Sequence, residues 1–93
     1  QLEARNRELA DAYARLEVAA RTDSLTGLLN RGAYDAQVAA WAGTDRSGCV
    51  ALVDMNGLKA INDTRGHAAG DAAVQLVARA LKAQFRITGP VYR

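Results

Sequence analysis

The chain has 93 residues, of which 49% are hydrophobic and 24% charged, with a formal net charge of +2. This length allows one domain with a modest core, and so small a charge gives no argument for nucleic-acid binding. No run reaches the roughly 18 apolar residues of a membrane span, and the polar N-terminus is unlike a secretory signal. We expect a cytoplasmic protein, or the cytoplasmic part of a larger one, with no direct contact to membrane or nucleic acid.

Residues 1–22 are predicted to form one long helix, because they contain no Gly or Pro and are rich in good helix formers. A seam with the alternating spacings of a coiled coil runs along this helix at Leu2, Asn6, Leu9, Tyr13, Leu16 and Ala20. The helix could pack on its own domain. We favour a parallel coiled coil that enters from an upstream domain, in which a buried Asn6 would fix the register.

The segment Asp23–Arg31 is predicted to interrupt this helix, because its Asp, Ser, Thr, Gly and Asn residues favour turns and caps. A second helix is expected over residues 31–42, with one apolar face formed by Tyr34, Val38 and Trp41. Asp23 and Arg31 flank this hinge. They could form an ion pair across it, or they could cap the adjoining helices.

Cys49–Val53 is a short apolar run without polar alternation, which predicts a central strand covered on both faces. The lone Cys49 is therefore expected to be buried and free of disulfides.

The remaining residues are predicted to form short elements around one longer helix. In chain order these are a helical turn at residues 58–61, a turn over 63–70, a third helix from Asp71 to Phe85, a break at Gly89-Pro90 and the start of a second strand at 91–93.

Several polar side chains after the predicted strand suit a metal-bound nucleotide. Asp54 offers the hard oxygen ligands that Mg²⁺ prefers, although an Asp here could simply cap the turn. Lys59 could meet a phosphate or be solvated. Asn62 could read a base edge or end a helix, and Asp71 could accept from a base or serve as an N-cap. His67 is interpreted as a turn residue.

Two motifs place these residues in a fixed order. They are Asp23-x-Leu-Thr-Gly-Leu-x-Asn30-Arg31 and Asp54-x-Asn-x-x-Lys59-x-x-Asn62-Asp63-x-x-Gly66-His67-x-x-Gly70-Asp71. Over residues 23–93 the chain resembles the N-terminal half of the GGDEF domain of diguanylate cyclases. The resemblance implies a partial palm-like nucleotidyl-cyclase fold of the α/β (α+β) class, with a central sheet flanked by helices and preceded by the long helix 1–22. It also implies condensation of two GTP molecules into cyclic di-GMP with Mg²⁺ or Mn²⁺.

The same resemblance implies roles for individual residues and for partners. Metal would be bound by the carboxylate of Asp54 and the backbone carbonyl of Met55. GTP would be bound by Asn62 and Asp71 at the guanine and by Lys59 and the backbone at Leu58 near the phosphates. A homodimer through the N-terminal helix, driven by an upstream sensory domain, would bring two GTP sites together. The hinge that carries the signal would include Asp23, Asn30 and Arg31.

The chain departs from the family pattern in two ways. The Gly-Gly-Asp/Glu-Glu-Phe signature expected just after Arg93 is not present, so we expect no cyclase activity from residues 1–93 alone. The product-inhibition motif Arg-x-x-Asp matches at Arg86, but Gly89 has no carboxylate, so this inhibitory site is expected not to function. Two alternatives stay open: a degenerate module that binds nucleotide and regulates a partner, and a module that only dimerises through its helix.

Overall fold

Helices are the regular elements of the computed structural model, which describes residues 2–93. Four lie within that range: α1 (Leu2–Arg21), α2 (Arg31–Trp41), α3 (Leu58–Arg65) and α4 (His67–Phe85). The predicted positions of α1 and α2 are confirmed to within a residue or so. None of these helices is both long and apolar enough to cross a membrane.

The prediction of an α/β (α+β) fold with a central sheet is wrong. Across residues 2–93, strand-like pairing consists of two isolated bridges, Thr22 with Leu29 and Leu29 with Tyr92. Cys49–Val53 has no regular secondary structure and is exposed throughout. A strand needs neighbouring backbone to pair its N–H and C=O groups, and no bridge in the described range involves this run. The Cys49 thiol is exposed as well, so its predicted burial is also wrong.

Asn30 joins the end of α1 to the start of α2. Its side-chain Oδ1 accepts a hydrogen bond from the backbone N–H of Ala33 at 3.0 Å, which makes Asn30 the N-cap of α2. Its Nδ2 donates to the carbonyl of Ala20 at 2.9 Å, near the end of α1. One side chain therefore satisfies backbone groups of both helices, and replacing it would loosen their relative orientation.

The third and fourth helices meet at a single residue, Gly66. The predicted turn over residues 63–70 is wrong, because α3 continues to Arg65 and α4 begins at His67. Gly66 has φ +89°, a backbone conformation that residues with a side chain rarely adopt, and it is both the C-cap of α3 and the N-cap of α4. The predicted N-cap role of Asp71 is wrong as well, because this residue lies inside α4.

The buried side chains are few and small. Leu28, Ala33 and Ala78 are buried, from the Asp23–Arg31 segment, α2 and α4 respectively. The side-chain amide of Gln75 in α4 donates to the carbonyl of Leu25 at 3.0 Å and so ties that helix to the segment. By contrast, α1 contributes no buried residue, and its apolar seam faces solvent.

Candidate functional site

The candidate metal and phosphate ligands lie along one short stretch, residues 54–59. Asp54 is exposed and Met55 half-buried, and both precede α3. The backbone turns at Gly57, which has φ +83° and is the N-cap residue of α3. Leu58 and Lys59 are the first two residues of the helix, and the Lys59 side chain is exposed. The stretch thus leads into a helix N-terminus, where the helix dipole favours negative charge.

The oxygen donors of this stretch are of the kind that binds a hard divalent cation. A carboxylate at Asp54 and a backbone carbonyl at Met55 are the kinds of ligand that Mg²⁺ takes. Over residues 2–93, no group of three or more His, Cys, Asp or Glu side chains is arranged to hold a metal ion.

The candidate base-reading residues Asn62 and Asp71 lie on α3 and α4, the two helices that pack against each other. Asn62 is half-buried near the end of α3, and its side chain lies against the buried Gly70 in the first turns of α4. Asp71 is the next residue and is exposed. The backbone N–H of Gly66 donates to the carbonyl of Asn62 at 2.9 Å, which fixes the end of α3 beside this contact. The Asn62 amide is therefore held against α4 at the residue that precedes Asp71.

Gly70 is required at this contact for space. An added Cβ would overlap Oδ1 of Asn62 and lie 2.7 Å from its Cγ, closer than real Cβ atoms approach. A glycine inside a helix is about 1 kcal/mol less favourable than alanine, so the close approach of Asn62 is the structural reason for glycine here. Gly70 was predicted to lie in a turn, and its neighbours in the sequence give no signal of this packing role.

The residues of the predicted inhibitory motif lie at the end of α4. Arg86 is the exposed C-cap residue, and the N–H of Gly89 donates to the carbonyl of Phe85 at 3.0 Å. Arg86 and Gly89 line a groove of about 550 Å³ together with Lys82 and the apolar side chains of Leu28, Leu29, Ile87, Pro90 and Val91. No carboxylate is among the described residues that line it.

Asp23 is the centre of a hydrogen-bonded cluster that joins distant parts of the chain. Its Oδ2 accepts from the N–H of Thr26 at 3.0 Å and from the Thr26 hydroxyl at 2.7 Å. Nη1 of Arg93 lies 3.0 Å from Oδ1 and 3.1 Å from Oδ2. The predicted pair of Asp23 with Arg31 is wrong, because Nε of Arg31 donates to Asp35 within α2 at 3.1 Å.

The cluster changes the acidity of Asp23. The hydrogen bond from the Thr26 hydroxyl lowers the pKa of this carboxyl below its usual value. Desolvation opposes that effect, and Arg93 adds to the lowering. The ionised carboxylate therefore stabilises the folded chain more than the protonated acid does.

Arg93 also belongs to a small packing cluster with Leu29 and two tyrosines. Its backbone N–H donates to the carbonyl of Leu29 at 2.7 Å. The ring of Tyr92 packs edge-on against Tyr34, with centroids 5.3 Å apart and an interplanar angle of 79°. The spacing Asp23-x-x-Thr26 is a recognisable turn signal, but nothing in the sequence indicated Tyr92 or Arg93 as its distant partners.

A match to the family described as "Diguanylate cyclase, GGDEF domain" covers residues 20–93. The chain therefore belongs to the GGDEF family, and the resemblance found from its motifs is confirmed.

Curated relatives include both cyclases and phosphodiesterases. The chain is 43% identical over 67 residues to the cyclic di-GMP phosphodiesterase PdeB of Shewanella oneidensis. The aligned region covers 72% of this chain and 8% of PdeB. It is 31% identical over 85 residues to the diguanylate cyclase VdcA of Vibrio cholerae, covering 91% of this chain and 25% of VdcA. It is 36% identical over 72 residues to the probable diguanylate cyclase DgcI of Escherichia coli, covering 76% of this chain and 16% of DgcI.

The chain thus spans a quarter or less of the length of these three relatives. No solved structure matches it.

Proposed function

We propose that residues 23–93 are the GTP- and metal-binding half of a diguanylate cyclase, which condenses two GTP molecules into cyclic di-GMP. The observation that supports this best is the packing of α3 on α4, which holds the Asn62 side chain against Gly70, the residue that precedes Asp71 in the chain. Family membership supports the reaction class.

Asn62 and Asp71 would select guanine through complementary hydrogen bonds. The guanine edge offers a carbonyl acceptor beside ring N–H and amino donors. An Asn amide both donates and accepts, and an ionised Asp only accepts. Adenine lacks the ring N–H and the carbonyl and carries an acceptor nitrogen in place of the N–H, so the Asp71 carboxylate would lose a donor, and polar sites discriminate strongly against such analogues.

Asp54, Met55 and Lys59 would hold the triphosphate end. The carboxylate of Asp54 and the carbonyl of Met55 would bind Mg²⁺ or Mn²⁺, which neutralises phosphate charge when bound. Lys59 and the backbone at Leu58, both in the first turn of α3, would add positive charge and a donor near the phosphates. Asp54 is the one carboxylate among the candidate metal ligands of the described residues, so we propose that residues 1–93 alone do not turn GTP over.

Calorimetric titration of the purified chain with Mg²⁺ and either GTP or ATP tests this proposal. We expect GTP to bind at least about tenfold more tightly than ATP, with that preference reduced in Asn62→Ala and in Asp71→Ala. Asp63→Ala is the matched control, since Asp63 is an exposed acid of α3 with no assigned role. Equal affinity for both nucleotides, or formation of cyclic di-GMP by the chain alone, would contradict the proposal.

A regulatory module that binds nucleotide without catalysis is the second candidate. It is favoured by the 43% identity to PdeB, a protein named as a phosphodiesterase. A GTP site that remains selective in the full-length protein while no cyclic di-GMP forms would support this candidate over the cyclase.

We propose that the product-inhibition site does not function. Arg86 lies in the same turn as Gly89, and Gly89 offers no carboxylate to complete the motif. In the calorimetric titration with cyclic di-GMP, we expect no binding that depends on Arg86. The wild-type chain and Arg86→Ala should therefore give the same result. Tight binding that depends on Arg86 would refute this expectation.

We further propose that residues 1–22 act as a separate signalling helix. The exposed seam of α1 supports a parallel homodimer, and an upstream sensory domain would set its rotation. The hinge formed by Asp23, Asn30 and Arg31 would pass that rotation to the nucleotide-binding half. Such a protein would work in the cytoplasm, where its substrate GTP is made.

A further inference from the structure

We infer that Gly70 is a positioning residue for guanine recognition, because its missing side chain lets the Asn62 amide lie against α4 at position 70, one residue before Asp71 in the chain. The inference rests on the proposed function, since it takes Asn62 and Asp71 as the groups that contact the base. It adds a residue that would touch neither the nucleotide nor the metal.

The atoms that crowd Gly70 all belong to the Asn62 side chain. A Cβ on Gly70 would overlap Oδ1 and lie 2.7 Å from Cγ and 3.3 Å from Nδ2. These three atoms form the amide group that would read the base. The group that a larger residue at position 70 meets first is therefore the Asn62 recognition amide of α3.

The need for glycine at this position is steric and does not come from the backbone conformation. Gly70 lies inside α4 and is not among the glycines with positive φ, which are Gly27, Gly43, Gly57 and Gly66. Alanine would fit the helical backbone of α4, so Asn62 must give way. Asn62 is short, half-buried and fixed on α3, so we expect its amide to leave its present position by a change of rotamer.

Gly70→Ala should therefore act on base selection and spare the triphosphate end of the site. Residues 54–59 precede α3, or begin it, at the opposite end from Gly66, so their contacts to metal and phosphate would remain. A variant that only destabilised the fold would weaken GTP and ATP binding in parallel. Loss of an oriented amide weakens GTP binding alone.

Titration of the whole chain with Mg²⁺-GTP and Mg²⁺-ATP separates these outcomes. For Gly70→Ala we expect GTP affinity to fall about tenfold or more while ATP affinity changes less than about twofold. In the ligand-free chain, the Asn62 side-chain amide resonances should shift. Gly48→Ala is the control, since its Cβ would make ordinary contact, 3.6 Å from the Trp41 ring. A parallel loss of both affinities, or unmoved Asn62 resonances, would overturn the inference.

The variant Asn62→Ala, made in the same chain, completes a double-mutant cycle. With the Asn62 amide gone, adding Gly70→Ala should change the GTP-to-ATP affinity ratio by less than about twofold. If Gly70→Ala alone does not fold, the double variant should recover folding, because the obstructing atoms are absent. A double variant that stays unfolded, or that shows a further tenfold change in the ratio, would refute the inference.

A wild-type chain without preference for GTP would refute the proposed function and, with it, the role of Gly70 in recognition. In that case, shifted Asn62 resonances in Gly70→Ala would show that the packing is as described and that the assignment of Asn62 to guanine was the error. The two failures are therefore distinguishable.

Discussion

Asp23→Ala is expected to lower the free energy of unfolding by about 2 kcal/mol, because it removes hydrogen bonds from Thr26 and an ion pair with Arg93. A hydrogen bond to a charged group contributes about 1.5–3 kcal/mol, and the contributions of bonds that share one carboxylate do not add in full. The Asp23 side chain is only 19% exposed, but that of Arg93 is 44% exposed, so the ion pair is weakened by solvent and the lower end applies. Urea unfolding followed by circular dichroism measures the change.

Asp35→Ala is the matched control for this prediction. The Arg31–Asp35 pair has nearly the same length as the Asp23–Arg93 pair, but its side chains are 82% and 60% exposed. We expect a loss of no more than about 0.5 kcal/mol, as is usual for exposed pairs. Equal losses for Asp23→Ala and Asp35→Ala would show that the cluster around Asp23 has no special role.

Asp23→Ala should also change the response of the chain to acid. Because the folded pKa of Asp23 lies below the unfolded value of 3.8, its stabilising effect is complete above that value and is lost as the pH falls through the folded pKa. Unfolding of the wild-type chain should therefore become easier below about pH 4. Asp23→Ala should lack this part of the decline, and an unchanged pH profile would contradict the assignment.

Leu9→Asp combined with Leu16→Asp is expected to convert a dimer of the chain into a monomer. These side chains are 54% and 65% exposed in the single chain, on a helix that buries none of its residues. Burying a leucine contributes roughly 1.5–3 kcal/mol, and each dimer would lose that amount four times. The dissociation constant should rise by more than about a thousandfold, measured by sedimentation equilibrium.

Ala4→Asp combined with Val18→Asp tests whether the seam itself is responsible. Both residues lie on the face opposite the seam, and Val18 is 61% exposed, much like Leu16. This variant adds the same charge and should remain dimeric. A wild-type chain that stays monomeric at high concentration, or two variants with equal effect, would refute the coiled-coil proposal.

The helices could be predicted from sequence where periodicity and composition agreed. Residues 1–22 contain no Gly or Pro, and α1 occupies Leu2–Arg21. The start of α4 was predicted four residues too late, because Asp71 is a favoured cap residue and Gly70 looked like part of a turn. Gly70 is tolerated inside the helix because Asn62 packs on it, and that tertiary contact leaves no local signal.

The strand prediction was wrong for a different reason. An apolar run such as Cys49–Val53 indicates a preference for burial, but pairing depends on a neighbour that the run itself cannot supply. Long-range polar contacts could not be predicted from the sequence for a similar reason. Asp23 was expected to pair with the nearby Arg31, whereas its partner Arg93 lies 70 residues away, and the sequence gives no measure of that distance in space.

The exposed thiol at Cys49 makes the chain ready for site-specific spectroscopy. It is the single cysteine of the sequence, so a maleimide dye or nitroxide would attach at one position without mutagenesis. Four residues separate it from Asp54, close enough for a fluorophore to sense metal or nucleotide arriving there. In a parallel dimer the two labels would also report their mutual distance, and with it any rotation delivered through α1.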